Sequence, residues 1–303
     1  MNLIECDNLQ VVPDRLYGGA TGSKIAVEYN GSVWLLKGCE RLHDKKLKNV
    51  EISYANDPIT EYIGSHIYEI FGFHVHNTLL GMFKNRLCVL CSDDAYPCRL
   101  FEFREFRNAI FDDDVVQPSS GMSTSLSDIM QVIALSDKLP KEDALKRFWQ
   151  MFVIDSLIGN TDRNNGNWAF LFKEGRFIPY EVYDCGGCLN NKRSDEQMQN
   201  DIVSDNVKNL ALQYTFNFKD EKGKRINPFH YIEKHPNDTI LKTLNLFNED
   251  ILQRINELID SLIPIISDVR ATWYKEILRL RFDYLIHIRD NISDSSIPNK
   301  IEL

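Results

Sequence analysis

An aspartate and an asparagine lie five positions apart in the segment DRNNGN, as Asp162 and Asn167. They belong to residues 155–172, where six Asn or Asp side chains stand between apolar stretches, more than a tight turn requires. Phosphoryl transfer needs a carboxylate to accept the proton of an attacking hydroxyl group. It also needs an amide oxygen that binds Mg²⁺ without adding charge. The pair therefore predicts phosphoryl transfer, with Asp162 in the first role and Asn167 in the second.

A second acidic residue, Asp184, follows in the segment YDCGG, after a short apolar strand and before two glycines. An aspartate in that position is commonly a turn residue. It also stands where the D-F-G element of protein kinases places its metal-binding aspartate, about one β-hairpin beyond the catalytic loop. We expect Asp184 to be the second ligand of the metal ion.

A lysine, Lys37, ends the apolar strand VWLLK. In the kinase arrangement a strand lysine holds the α- and β-phosphates and is fixed by a glutamate from the next helix. The alternative is a lysine that extends its charge to the edge of the sheet. The following helix carries Glu61 and Glu69, and periodicity alone does not distinguish them.

A short glycine-rich segment, YGGATGSK at residues 17–24, precedes that strand. Glycines let backbone N–H groups approach phosphate oxygens, and hydroxyl groups can add donors. The G-x-G-x-x-G spacing is not met, so an ordinary structural turn is the alternative. The residues expected to contact a nucleotide here are Gly19, Ala20, Thr21, Gly22 and Ser23.

The elements that must position these residues change character along the chain. Strands at 25–29 and 32–36, joined by Asn30-Gly31, predict a hairpin. A helix is expected at about 58–71, followed by further strands that include CRLFEFREF. From about residue 123 the apolar spacing is helical. The polar segment at 189–206 is interpreted as mobile.

This order predicts an α+β fold with two lobes. A β-rich first lobe would span residues 1–105 and a helical second lobe residues 106–303. The glycine loop, strand lysine, helix glutamate, D-x-x-x-x-N and D-x-G occur once, in that sequence, across the change from strands to helices. Such an order is hard to produce by chance, and it favours a phosphotransferase.

Composition limits the partners. The 303 residues carry a net charge of −9 and a pI of about 5.3, which disfavours a broad nucleic-acid-binding face. The N-terminus lacks the features of a signal peptide and the longest apolar runs are too short for a bilayer, so we expect a cytoplasmic chain without a membrane partner. Two C-x-x-C pairs, Cys88/Cys91 and Cys185/Cys188, raise the alternative of a zinc site, but buried reduced thiols fit better.

The segments GNTDRNNGNWAFL and YDCGG resemble those of the HipA-like serine/threonine kinases, a family of bacterial toxin–antitoxin kinases. The N-terminal half resembles the cell-translocating branch of that family, in YGGATGSKIAVEYNGSVWLLK and NTLLGMFKNRLCVLC. The resemblance implies a two-lobed kinase fold, ATP with Mg²⁺, and phosphorylation of Ser or Thr hydroxyl groups on a protein substrate. Secretion without a signal peptide is compatible with that branch.

The resemblance also assigns roles to particular residues. Glu61 would fix Lys37, and backbone at Glu102 and Phe103 would pair with adenine. An antitoxin protein is a candidate partner, and autophosphorylation in the glycine loop is expected, with Thr21 and Ser23 both open as the acceptor. The functional residues implied by the match are Lys37, Glu61, Asp162, Asn167 and Asp184.

Two other functions stay open at this point. NTDRNNGNW also resembles the catalytic loop of type II phosphatidylinositol 4-kinases, although the acidic chain has no cysteine-rich palmitoylation stretch. A kinase-like binding module without turnover is the other alternative, which the full set of polar residues argues against. Phosphorylation of lipid vesicles would indicate the first, and nucleotide binding without transfer the second.

Overall fold

The computed structural model describes residues 2–17, 24–38, 57–111 and 124–295. The fold is α+β, as expected. A six-stranded sheet crossed by one helix forms the first lobe, and helices form most of the second. The strands of the first lobe are β1 (Ile4–Glu5), β2 (Gln10–Val11), β3 (Lys24–Tyr29), β4 (Ser32–Gly38), β5 (Thr78–Phe83) and β6 (Arg86–Ser92).

The first sheet has the strand order β1-β5-β6-β4-β3-β2. Only the β1–β5 pair within it is parallel. Asn30 and Gly31 join β3 to β4 with φ values of 51° and 75°, as a two-residue hairpin turn with positive φ at both positions requires. The predicted hairpin is therefore confirmed, and it places the end of β4, with Lys37, in the middle of the sheet.

Helix α1 (Asp57–Ile70) packs against β4, β5 and β6. Ile59, Ile63 and Ile67 recur every four residues and are buried, which is the apolar face that sequence periodicity predicts. Burying each of these isoleucine side chains stabilises the folded state by about 1.5–3 kcal/mol. The helix ends just before Gly72, whose φ of 78° suits a residue without Cβ. The bounds agree with the predicted helix to within one residue.

A second sheet of three strands, β7 (Leu100–Glu102), β8 (Ala169–Lys173) and β9 (Arg176–Pro179), links the lobes. The strand expected at CRLFEFREF ends after β7, and α2 (Phe103–Phe111) follows. Phe103 and Phe106 are buried three positions apart, which is helical spacing, so the apolar residues there serve a helix. The lobe boundary at residues 105 and 106 falls within α2 and stays a prediction.

The second lobe is built around α4, whose residues 151–158 are all buried. A helix that is buried on every side belongs in the centre of a domain. The helices after α2 are α3 (Leu126–Leu135), α4 (Lys141–Ile158), α5 (Asp195–Val203), α6 (Val207–Leu212), α7 (Pro228–Lys234), α8 (Asp238–Leu244), α9 (Glu249–Asp260) and α10 (Asp268–Ser295). In the part of the chain that the structure describes, no helix is long and apolar enough to cross a membrane.

The polar segment at 189–206, interpreted as mobile from its sequence, instead has regular structure that side-chain contacts hold in place. It contains α5, which starts with a capping box in which the Ser194 and Gln197 side chains each bond the other's backbone N–H. The buried Asp201 accepts hydrogen bonds from the Arg193 guanidinium and, at 3.3 Å, from the Trp273 indole. These contacts fix the segment to α10.

Arg281 on α10 closes the end of α4. Its buried guanidinium donates to the carbonyl oxygens of Leu157 at 3.3 Å and Ala211 at 3.1 Å, and lies 4.7 Å from the centre of the Tyr214 ring. α4 stops at Gly159, where φ is 66° and a Cβ would collide with that guanidinium. A cation at a helix C-terminus is also stabilised by the helix dipole.

We expect Arg281→Met to lower the free energy of unfolding by about 2 kcal/mol, because two buried carbonyl groups lose their donor. Urea unfolding followed by tryptophan fluorescence measures this. Arg279→Met is the matched control, since Arg279 is exposed on the same helix and pairs only at the surface with Asp283. Its effect should stay within about 0.5 kcal/mol. Equal stabilities of the two variants would contradict the role of Arg281.

Candidate active site

Lys37 lies between two carboxylates in the cleft between the lobes. Its ammonium nitrogen is 2.7 Å from Glu61 Oε2 and 2.5 Å from Asp184 Oδ1. Burial alone would lower the pKa of the Lys37 ammonium, but the two carboxylates hold that pKa well above its usual range. Lys37 is therefore a fixed positive charge. The exposed Glu69 lies elsewhere on α1, so the structure selects Glu61 as the partner.

Glu61 is fully buried and does more than hold Lys37. Its carboxylate accepts the backbone N–H of Cys185 at 2.8 Å and of Gly186 at 3.0 Å. Burial would raise the pKa of the Glu61 carboxyl, yet the Lys37 ammonium and a hydrogen bond from His76 keep it well below its usual range. Helix α1 is thereby tied to the two residues that follow Asp184.

Asp184 is the first residue of a loop that spans residues 184–188. Its backbone has an uncommon conformation, with φ at 59°. Asp and Asn tolerate the left-handed region better than other residues with a Cβ. Burial would raise the pKa of the Asp184 carboxyl, but the Lys37 ammonium lowers it. The side chain is thus held ionised, with Oδ1 toward Lys37.

The segment from Asp162 to Asn167 forms a loop closed by its own asparagines. The amide groups of Asn164 and Asn167 donate to the backbone carbonyl of Asp162, at 2.9 and 3.2 Å. Asn164 Oδ1 accepts the N–H of Gly166 at 2.8 Å. Local bonds of this kind are why short polar side chains are abundant here. The Asp162 carboxylate is not used to hold the loop, and it stays available for chemistry.

Asp162 is exposed at the mouth of the cleft, but the groups around its carboxyl partly desolvate it. This desolvation comes first, and the negative charge of Asp184 second, in raising the pKa of the Asp162 carboxyl. The two loops also touch directly. A Cβ placed on Gly187 would lie 2.7 Å from the Cβ of Asp162, so only glycine fits there. A Cβ on Gly64 of α1 would similarly lie 2.8 Å from the Cβ of Cys185. Glycine therefore allows the two loops and α1 to meet closely.

Sequence reasoning missed the ion pair that supports both loops. The fully buried Asp155 of α4 receives Arg163 Nε at 2.8 Å. The same guanidinium donates to the carbonyl oxygens of Asn167 at 2.7 Å and Tyr183 at 2.6 Å. Tyr68 of α1 adds its hydroxyl to Asp155 at 2.9 Å. A lone aspartate inside the apolar run MFVIDSLI was the available signal, because a buried charge needs a partner.

The expected adenine contacts lie at the end of β7. The N–H of Phe103 donates to the Trp168 carbonyl at 3.0 Å, and its ring stacks on that indole with centroids 4.1 Å apart. Glu102 is opposite Ala169, and hydrogen-bonded pairs alternate with non-bonded ones in an antiparallel ladder. The Glu102 carbonyl therefore points away from β8. The Phe103 N–H already bonds to the Trp168 carbonyl. Of the two expected adenine contacts, only the Glu102 carbonyl is therefore oriented toward an adenine ring.

The glycine loop lies outside the described residues. Its expected contacts therefore stay predictions, although β3 begins at Lys24 directly after them. The residues concerned are Gly19, Ala20, Thr21, Gly22 and Ser23.

No protein-family model matches the chain. A serine/threonine-protein kinase of Helicobacter pylori, CtkA, is 31% identical over 314 residues, which cover 100% of this chain and 90% of that protein. The chain belongs to the family of serine/threonine kinases that includes CtkA. It is a serine/threonine kinase homologue in sequence over its whole length, and the crystal structure of the H. pylori proinflammatory kinase CtkA matches it with a TM-score of 0.83.

That crystal structure is 26% identical and the match covers 96% of this chain and 100% of the other. HipA of a Shewanella oneidensis toxin–antitoxin system, solved with HipB and operator DNA, matches with a TM-score of 0.53 at 15% identity. The match covers 95% of this chain and 70% of that one, and at this identity it supports the fold alone. The expected resemblance to the cell-translocating branch is confirmed by the match to CtkA, and HipA shares the fold.

The donor set suits the metal ion that a kinase uses. Asn167 offers an amide oxygen and Asp184 a carboxylate, and hard oxygen donors are what Mg²⁺ prefers. Both side chains come from loops held by Arg163, which donates to Asn167 O and Tyr183 O. The residues present therefore fit Mg²⁺ bound between the two loops.

Among the residues that the structure describes, the two C-x-x-C pairs do not form a zinc site. Cys88 and Cys91 are buried on opposite faces of β6, in separate apolar clusters. Cys185 and Cys188 are buried beside α1, and Cys188 Sγ donates to the carbonyl of Thr60 at 3.3 Å. Burial raises the pKa of both the Cys185 and the Cys188 thiols. These observations support the interpretation as reduced thiols.

Gly187→Ala tests the close approach of the two loops. We expect the added methyl group to displace Asp162 and to lower kcat of phosphate transfer about 100-fold, the cost typical of misplacing a reacting group by about 1 Å. Steady-state kinetics with labelled ATP gives the rate, and thermal unfolding shows whether the fold persists. A variant with unchanged kcat would contradict the contact between Gly187 and Asp162.

Proposed function

We propose that this protein is an ATP- and Mg²⁺-dependent serine/threonine protein kinase. The observation that carries the proposal is the arrangement around Lys37, which contacts Glu61 Oε2 at 2.7 Å and Asp184 Oδ1 at 2.5 Å. A cation fixed in this way, next to a D-x-x-x-x-N loop, is the phosphate-binding arrangement of protein kinases.

The nucleotide would lie along the cleft with its phosphates against Lys37. The glycine loop would cover the phosphates. At the edge of β7, the Glu102 carbonyl would accept a hydrogen bond from the adenine amino group. Asn167 and Asp184 would hold Mg²⁺. The ion, when bound, offsets negative charge on the phosphate oxygens.

Asp162 would orient the hydroxyl group of a Ser or Thr in the protein substrate. The hydroxyl oxygen bonds to the γ-phosphorus as the bond from that phosphorus to the bridging oxygen of ADP breaks. The hydroxyl proton passes to the Asp162 carboxylate, and ADP leaves. The raised pKa of Asp162 supports this role, because a more basic carboxylate accepts a proton more readily.

Autophosphorylation and a toxin or effector role belong to the same proposal. Autophosphorylation rests on the resemblance of the sequence alone. The toxin role and an antitoxin-like partner are suggested by the Shewanella HipA, which was solved as part of a toxin–antitoxin system. Thr21 and Ser23 are the acceptor candidates within the chain. The cytoplasm as the place of synthesis rests on the sequence.

Three reactions run side by side test the proposal. Purified protein is incubated with γ-labelled ATP and Mg²⁺ alone, with a mixed protein substrate, and with vesicles of phosphatidylcholine and phosphatidylinositol. Label on Ser or Thr of protein is the expected result. Label on the inositol lipid alone would indicate a lipid kinase, and Mg²⁺-dependent ATP binding with no label in any arm would indicate a binding module.

Metal binding gives a separate prediction. Asp184→Asn should weaken Mg²⁺-dependent binding of a fluorescent ATP analogue by roughly 10- to 100-fold, since the variant loses a charged metal ligand. The amide keeps the size of the side chain and tolerates the φ of 59°. Binding measured in EDTA should change far less. Equal losses with and without Mg²⁺ would assign Asp184 a structural role instead.

A further inference from the structure

His76 contacts the candidate active site without a role in the chemistry described above. Its Nε2 is 3.2 Å from Glu61 Oε1, and the side chain is only 6% exposed. The Ser65 hydroxyl lies 3.1 Å from the same nitrogen. The backbone N–H of His76 donates to the Val182 carbonyl at 3.1 Å, and the Val182 N–H donates to His74 at 3.0 Å. The segment that carries His76 thus runs beside the chain leading to Asp184.

The donors around Glu61 account for both of its oxygens. Oε1 receives His76 Nε2 and the Cys185 N–H, and Oε2 receives Lys37 Nζ and the Gly186 N–H. A carboxylate can only accept, so an attractive contact requires the proton on His76 Nε2. The last torsion of a glutamate is broad, so rotamer preference does not orient the carboxylate plane. Hydrogen bonds must do so.

Rotation of the Glu61 carboxylate would have consequences for the loop of residues 184–188. If the Glu61 oxygens turned, the N–H groups of Cys185 and Gly186 would lose their acceptor inside the protein. Those two residues directly follow Asp184, whose backbone is in the left-handed region. His76 opposes this rotation as the side-chain donor to Oε1, whereas Lys37 contacts the other oxygen, Oε2.

We infer that His76 is a positioning residue that orients Glu61 and thereby holds the Asp184 loop for Mg²⁺. This inference rests on the proposed kinase function for its effect on catalysis, but the positioning itself does not. His76 acts through Glu61 and touches no reacting atom.

A metal ion bound by His76 is a weaker interpretation. Glu61, His76 and Cys91 offer three ligand atoms that lie within 4.8 Å of one another. However, both Glu61 oxygens already have hydrogen-bond donors, one of them a cation at 2.7 Å. Burial and the Glu61 charge also hold the pKa of the Cys91 thiol well above its usual range, which disfavours the thiolate that a metal needs.

Hydrogen exchange tests the positioning directly. In the nucleotide-free protein, His76→Phe should speed exchange of the Cys185 and Gly186 amides at least about tenfold, because their acceptor becomes free to turn. His76→Gln, which keeps an N–H donor of similar reach, should retain most of the protection. His66→Phe is the matched control, since His66 on α1 bonds Tyr62 O at 2.9 Å and does not contact Glu61.

Mg²⁺ dependence gives the functional readout. His76→Phe should raise the Mg²⁺ concentration for half-maximal phosphate transfer roughly 10- to 100-fold, as loss of a residue that orients a metal site does. In His76→Gln this Mg²⁺ concentration should return most of the way to the wild-type value, and in His66→Phe it should equal that value. If His76→Phe does not fold, His76→Asn replaces it, since its shorter amide cannot reach Glu61.

Two results overturn the inference. One is wild-type exchange at Cys185 and Gly186 in a folded variant that lacks the donor. The other is a uniform loss of protection across the protein, with no difference between the Phe and Gln variants. Absence of phosphate transfer in wild type would instead defeat the proposed kinase function, and the exchange result would still decide the role of His76.

Discussion

Asp162→Asn should lower kcat for phosphate transfer by roughly 10²–10⁴-fold, the contribution typical of a general base. The amide has the shape of the carboxylate but cannot take up the proton of the substrate hydroxyl. The loop should keep its form, because Asn164 and Asn167 bind the backbone carbonyl of Asp162 and not its side chain. ATP affinity should therefore change by less than about threefold.

Single-turnover transfer from labelled ATP and equilibrium binding of a fluorescent ATP analogue separate the two quantities. Asp283→Asn is a suitable control, because Asp283 is an exposed aspartate that pairs with Arg279 on α10. It should behave as wild type in both assays. Parallel loss of binding and turnover in Asp162→Asn would show that Asp162 supports the structure of the cleft and is not the base.

Arg163→Met should destabilise the protein by about 3–5 kcal/mol, the cost of leaving a buried charge without its partner. The unpaired group is Asp155, which is fully buried. The guanidinium also joins the catalytic loop to the Asp184 segment through the carbonyls of Asn167 and Tyr183. The change should abolish transfer at temperatures where wild type is active.

A double-mutant cycle separates the charge from the loop contacts. Asp155→Asn in the Arg163→Met background removes the unpaired carboxylate, so much of the lost stability should return in urea unfolding. Activity should not return, because the two carbonyls still lack their donor. Arg225→Met is the control for Arg163→Met, because Arg225 is exposed. Additive effects of the Asp155 and Arg163 changes on stability would contradict a coupled buried pair.

The parts of the site that sequence predicts are those with a local cause. Asn30-Gly31 specifies its own turn, and the D-x-x-x-x-N loop is closed by bonds among neighbours, such as Asn164 to the Asp162 carbonyl. Lys37 is marked by a charge at the end of an apolar strand. Each of these signals lies within a few residues, so spacing alone reveals it.

The supporting contacts depend on the tertiary fold and are invisible to spacing. Arg163 is eight residues from Asp155, but its bond to Tyr183 requires two loops to meet. His76 and Glu61 are joined only when α1 packs beside β5. The choice between Glu61 and Glu69 likewise needed the face of α1 that the sheet buries.

Errors in the predicted elements have similar origins. The strand expected through Phe103 and Phe106 is a helix, because a few aromatic residues fit either period until their packing is known. α5 was missed because its polar composition suggested a mobile segment, although Ser194 and Gln197 carry the spacing of a capping box. Its buried Asp201 pairs with Arg193, and that pairing is only evident in the fold.

We propose that the cleft transfers a γ-phosphoryl group from ATP to a Ser or Thr hydroxyl. The most direct measurement incubates wild-type protein with γ-labelled ATP, with Mg²⁺ or with EDTA, and locates label in the chain and in added protein by mass spectrometry. We expect Mg²⁺-dependent label on Ser or Thr in wild type and none in Asp162→Asn. Label that is independent of Mg²⁺, or equal in wild type and Asp162→Asn, would contradict it.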